Sequence, residues 1–178
     1  LQWEGGAPPQ PNQTREYAIG FLVAAYVRPE FQVSVTTDKP AYVQGDKINV
    51  DVQSTYYFGG PVTDAKVDWN VQSEPYYFDY QGQGNYDWSD TDYFYGGSRR
   101  YGGATIASGT GKTDSTGHLV VPVKADLGKN DNSQKFSIEA NVTDVNDKVV
   151  SSRVDAIVHQ GMFYIGLSPE RYVGKVGE

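Results

Sequence analysis

Residues 42–69 carry two period-2 runs separated by a glycine turn, and this pattern most narrows what the chain can fold into. Gly45-Asp46 is a turn signal. Ile48, Val50 and Val52 then alternate with Asn49, Asp51 and Gln53, the spacing of a half-buried strand. Gly59-Gly60-Pro61 ends that strand, because glycine supplies positive φ and proline removes a ladder donor. A second alternation puts Ala65, Val67, Trp69 and Val71 on one face and Lys66, Asp68, Asn70 and Gln72 on the other. Two such strands cannot bury their apolar faces alone, so a second sheet must cover them. The expectation is an all-β, antiparallel sandwich in which Trp69, Val50, Val67, Phe136 and Ile138 face one core.

The rest of the chain supplies further strands. Phe31, Val33 and Val35 alternate with the polar Gln32, Ser34 and Thr36. Leu119, Val121 and Val123 alternate with Val120, Pro122 and Lys124, where Pro122 argues for a sheet edge. Residues 105–112 read as a strand, followed by the turn Asp114-Ser-Thr-Gly117. Phe136, Ile138, Ala140 and Val142 form another strand. The turn Asp144-Val-Asn-Asp147 then leads into a last strand over residues 149–159. About seven strands at this spacing fit a sandwich. Residues 1–14 are a Pro-, Gly- and Gln-rich loop, and residues 17–25 an apolar strand.

Residues 74–103 break the pattern. They hold a run of tyrosines among aspartates and glycines, and a loop this long usually has a task or its own hairpin. The expectation is an insertion between the third and fourth strands, with a hairpin near Gly82-Gln-Gly84. Tyrosine gives large, rigid, amphipathic contact area, which suits recognition. Tyr76, Tyr77, Tyr80, Trp88, Tyr93, Phe94 and Tyr95 are therefore the interface candidates. The plainer alternative is that these rings cover the open end of the sandwich or pack on a neighbouring domain.

Composition excludes several function classes. The net charge of −7 argues against a nucleic-acid partner, since phosphate binding needs clustered Lys and Arg. With no cysteine there is no disulfide, thiolate metal site or thiol nucleophile. No apolar run is long enough to span a membrane as a helix. The chain begins at Leu1 in mid-pattern, and the expectation is a piece of a longer protein whose targeting signal would lie upstream.

The candidates for chemistry are weak. Gly109-Thr-Gly-Lys-Thr113 lacks the first glycine of a phosphate loop and has no following helix, so it reads as a hairpin end. Asp87-Trp-Ser-Asp-Thr-Asp92 fails the calcium-loop spacing at its sixth and twelfth positions and reads as a solvated acidic loop. Glu74, Asp79, Asp87 and Asp90 beside tyrosines are the carboxylates a glycoside hydrolase would use, but nothing fixes a pair in a cleft. His118 and His159 have no metal-spaced partner and read as exposed structural residues. No cofactor, metal or catalytic residue is expected.

The order of several short motifs carries a resemblance. These are Tyr26-x-x-Pro29-x-Phe31-x-Val33, Pro40-x-Tyr42-x-x-Gly45-Asp46, Tyr57-Phe58-Gly59-x-Pro61-Val62, and later Thr113-Asp-Ser-Thr-Gly-His-Leu119 and Phe163-Tyr-Ile-Gly-Leu-Ser-Pro-Glu-Arg-Tyr172. Together they resemble an internal macroglobulin domain, immunoglobulin-like in architecture, of the bacterial branch of the alpha-2-macroglobulin family. The resemblance implies three parts. Residues 1–27 would be a linker and the last strand of a preceding domain, residues 28–160 a complete seven-stranded sandwich, and residues 161–178 the start of a following domain. Residues 17–25 as an added edge strand of the main sandwich is the alternative. The resemblance also implies a parent that inhibits endopeptidases broadly, by entrapment after cleavage of a bait segment. Its partners would be neighbouring macroglobulin domains and target proteases, and its place the bacterial periplasm or cell envelope. A thioester needs Cys-x-x-Gln, which is absent here, and the insertion does not look like bait. The implied role is a non-catalytic scaffold. The competing class is a carbohydrate-binding or adhesive module with the tyrosines as a stacking platform.

Overall fold

The computed structural model describes residues 29–88 and 103–169. Eight strands occur among them: β1 (Phe31–Thr37), β2 (Ala41–Val43), β3 (Lys47–Tyr56), β4 (Lys66–Pro75), β5 (Ala104–Lys112), β6 (His118–Lys124), β7 (Gln134–Thr143) and β8 (Val149–His159). They form a three-stranded sheet in the order β1-β3-β6 and a five-stranded sheet in the order β2-β8-β7-β4-β5. The all-β expectation holds. The expected count of seven and the purely antiparallel pattern are corrected by β2, which pairs parallel to β8 through Ala41–Ile157, Tyr42–Val158 and Val43–His159. Three residues between a proline and a glycine turn are too short to show a period, so the strand is invisible to a pattern search. Pro122 does lie on an edge strand, β6.

The core lies between the sheets. Ile48, Val50 and Val52 of β3 face Val67 and Val71 of β4, Phe136, Ile138, Ala140 and Val142 of β7, and Phe31 of β1, all buried. Burying a side chain of this size stabilises by roughly 1.5–3 kcal/mol. Trp69 is on the expected face but only half-buried, packed against the core from its edge. It pairs with Gly109 on β5. A Cβ on Gly109 would sit 2.5 Å from the indole, and one on Gly111 would sit 2.8 Å from Leu119. The glycines of Gly109-Thr-Gly-Lys-Thr113 thus leave room for the Trp69 and Leu119 side chains. Thr113 closes that end: its hydroxyl donates to Val62 O at 2.7 Å and accepts from Ala65 N at 2.9 Å.

The registers define two poles. Phe31 lies opposite Tyr56, and Lys66 opposite Lys112 and Thr143, at the pole where the described chain comes in. Pro75 lies opposite Gln134, and Gln134 opposite Val158, at the pole where β8 goes out. At the incoming pole Tyr57 N donates to Glu30 O at 3.0 Å, Phe58 stacks on Tyr56 at 4.8 Å, and Phe58 is 81% exposed.

Candidate interaction site

The outgoing pole is built by two segments without regular secondary structure, residues 76–88 after β4 and residues 160–169 after β8. The first leaves the sheet at Pro75, and Tyr76 N donates to Ser133 O at 2.9 Å. Alternation persists: Tyr76 and Phe78 are half-buried while Tyr77 and Asp79 are exposed. The chain bends at residues 82–84, where Gly84 takes φ of +96° and a Cβ on Gly82 would strike the Tyr80 ring at 2.2 Å. Trp88 then returns to the cluster, 5.2 Å from Phe78, 5.0 Å from Tyr80 and 5.8 Å from Tyr86 between ring centroids. Tyr80 and Tyr86 meet edge to face at 5.6 Å. Such pairs add about 0.5–1.5 kcal/mol beyond area burial.

The second segment fastens the first. Asp87 and Leu167 exchange both backbone hydrogen bonds, at 2.8 and 2.9 Å. Tyr164 stacks on Phe78 at 4.2 Å, nearly parallel. Gly166 lies under Trp88, where a Cβ would be 2.6 Å from the indole. Tyr164 also reaches the sandwich, with its hydroxyl 2.8 Å from Ser133 Oγ and 2.6 Å from His159 Nδ1. Burial pushes the Tyr164 phenol up and the His159 imidazole down from their ordinary ranges. The outward side chains of this segment are apolar: Phe163 is 77%, Ile165 70% and Leu167 68% exposed. This arrangement can bind through aromatic and apolar surface. Among the described residues no group of three or more His, Asp or Glu could hold a metal ion.

A family model described as macroglobulin domain MG3 matches residues 25–149. The chain belongs to the macroglobulin domain MG3 family. Over 160 residues, 89% of this chain and 9% of the other, it is 29% identical to alpha-2-macroglobulin from Thermotoga maritima. Over 58 residues, 33% of this chain and 4% of the other, it is 34% identical to alpha-2-macroglobulin from Ralstonia nicotianae. The native conformation of E. coli alpha-2-macroglobulin shares the fold with a TM-score of 0.63 at 12% identity, over 83% of this chain and 9% of that one. Salmonella alpha-2-macroglobulin reacted with methylamine gives 0.61 at 11% identity, over 78% of this chain and 9% of that one. The chain thus spans 9% or less of the length of these relatives.

In this MG3 domain the sequence candidates divide into three groups. Tyr76 packs edge-on against His159 at 5.8 Å, and Tyr80 and Trp88 belong to the aromatic cluster. Tyr77 points outward, 59% exposed. Tyr93, Phe94 and Tyr95 lie outside the described residues, as do Asp90, Asp92 and residues 17–25. His159 is no exposed histidine as expected from sequence, because Tyr76 and Tyr164 pack on it edge-on. His118 is half-exposed and pairs with Asp51 at 2.6 Å. The carboxylates weighed for hydrolysis have other partners: Glu74 binds Lys135 at 2.5 Å, and Asp79 accepts from Gln81. Phe78, Tyr164 and Leu167 were not singled out as contact residues. The alternation of Phe163, Ile165 and Leu167 with Tyr164 and Gly166 was the readable signal for a packed segment.

Proposed function

We propose that this MG3 domain is a non-catalytic scaffold unit of a bacterial alpha-2-macroglobulin-like protein that traps endopeptidases after a bait segment is cut. The observation that carries this reading is the pole-to-pole path of the chain. It comes in beside exposed Tyr57 and Phe58 and goes out through exposed Phe163, Ile165 and Leu167. An exposed apolar pole at each end suits a unit held between neighbours in one polypeptide. The relatives support the same reading: they are alpha-2-macroglobulins of which this chain covers 9% or less, and one solved E. coli structure is described as trypsin activated. Residues 28–160 are then the sandwich, residues 1–27 belong to the linker and preceding domain, and residues 161–178 begin the next. The periplasm or envelope is the matching place.

The test uses the isolated chain in excess over trypsin-like, elastase-like and subtilisin-like enzymes, with casein hydrolysis as readout. Trapping needs two states of a whole molecule separated by one cut, which one sandwich does not have. Full protease activity is the expected result. Stoichiometric loss of activity would make this chain an inhibitor in its own right.

A further inference from the structure

At the outgoing pole three side chains and one backbone amide form a continuous hydrogen-bond relay. Gln160 N donates to Ser133 Oγ at 3.1 Å, Ser133 Oγ lies 2.8 Å from Tyr164 Oη, and Tyr164 Oη lies 2.6 Å from His159 Nδ1. With a neutral imidazole accepting at Nδ1, each hydroxyl takes one hydrogen and gives one. Donation then runs in a single sense from Gln160 through Ser133 and Tyr164 to His159. The relay joins four places: the end of β8, the loop before β7, the post-β8 segment, and residues 76–88 through the Phe78–Tyr164 stack.

We propose that His159 is an acid-sensitive latch: its protonation releases Tyr164, and with it residues 161–167 and the aromatic segment stacked on Tyr164, from the end of the sandwich. A hydrogen on Nδ1 forces Tyr164 Oη to accept from His159. Only one hydroxyl hydrogen can then lie between Ser133 Oγ and Tyr164 Oη, so the other hydroxyl hydrogen of the pair loses its acceptor. A buried polar group left without its partner weakens the closed arrangement. Among the described residues, the titratable rings packed on the imidazole are the phenols of Tyr76 and Tyr164. Ser133 and Gln44, whose N–H donates to His159 O at 2.8 Å, are neutral. His118 provides the contrast, since its ring pairs with the Asp51 carboxylate.

Burial holds the His159 imidazole below its ordinary range in the closed state. In the opened state the ring is wet and titrates near the ordinary value of about 6.5. The latch is therefore at full strength above that range and weakens as pH falls below it toward the closed-state value. A single proton sets the limit, about tenfold in the opening equilibrium per pH unit. The inference rests on the contacts of this domain and does not depend on its place in a protease trap.

The chain has two histidines, so the test is clean. Imidazole NMR signals of the whole chain are titrated, with His118 assigned through His118→Asn, while amide exchange gives protection factors corrected for intrinsic rate. His159 should titrate below the ordinary range. Protection at residues 161–167 should fall several-fold along the same curve while β4 and β7 stay protected. In His159→Asn, where a neutral amide stands near Nδ1, that acid-dependent fall should disappear. Titration of His159 at or above the ordinary range would overturn the latch. So would a loss of protection that ignores its titration, or one that persists unchanged in His159→Asn.

Discussion

Tyr42 shows how one side chain can hold a turn that the pattern alone leaves open. Its ring is 2% exposed, its hydroxyl donates to Asp38 Oδ1 at 2.7 Å, and it accepts from Lys39 N at 2.9 Å. Asp38 Oδ1 also accepts from Asn49 N at 3.0 Å, so the phenol ties the β1–β2 turn to β3. Tyr42→Phe should cost about 1–2 kcal/mol in chemical denaturation, the loss of a buried hydroxyl that leaves Lys39 N–H without its acceptor. The same hydrogen bonds hold the Asp38 carboxyl below its ordinary range, the Tyr42 hydroxyl most of all. A carboxyl depressed in the folded state contributes stability above its ordinary range, and that contribution is lost as pH falls through the folded value. Tyr42→Phe should therefore flatten the acid limb of the stability curve below about pH 4, as followed by circular dichroism. At the other pole Gly117 holds φ of +75°, and a Cβ there would lie 2.4 Å from Ser54 O. Gly117→Ala should cost well over about 1 kcal/mol, because both the backbone region and the space are wrong for a side chain.

At the scale of elements, β4 and the segments at its far end carry the next predictions. Trp69 is an edge-on cover for the core, so Trp69→Ala should cost about 2–3 kcal/mol, less than a fully buried tryptophan would. Replacing residues 76–103 with a short Gly-containing turn should leave a cooperatively melting sandwich, since Ser73 and Ala104 already face each other and loop entropy changes slowly with length. The same replacement removes Phe78 and Trp88, so protection of residues 161–167 should fall. A loss of cooperative melting would place the aromatic segment in the core. The long strands were legible in the sequence because β3 and β7 each bury every second residue of a ten-residue run. The short β2 was not, because pairing with β8 and not internal pattern makes it a strand. The candidate site was half legible. Tyrosine density marked residues 76–88, but their partners lie some eighty residues away, and stacking of Phe78 on Tyr164 leaves no local trace. The partial burial of His159 is hidden from the sequence for the same reason: it comes from rings distant in sequence or beyond the strand end.

As a whole molecule the domain is a sandwich with two dressed poles. Its sheet faces bury their apolar rows internally, whereas Tyr57 and Phe58 at one pole and Phe163, Ile165 and Leu167 at the other stay exposed. Exposed apolar clusters of this kind mark contact surfaces. An open hollow of about 500 Å³ beside Ile106 and Leu127 is lined by a single carboxylate, Asp126. Two carboxylates facing a cleft are what glycoside hydrolysis requires, so that hollow offers no support for the reaction. The poles therefore carry the functional reading. The most direct test compares backbone amide exchange of this chain alone with the same residues inside a longer polypeptide that includes its flanking sequence. Added protection is expected at residues 57–60 and 161–167, with the sheet amides unchanged. Equal exchange at both poles in the two contexts, or new protection confined to the sheet faces, would contradict it.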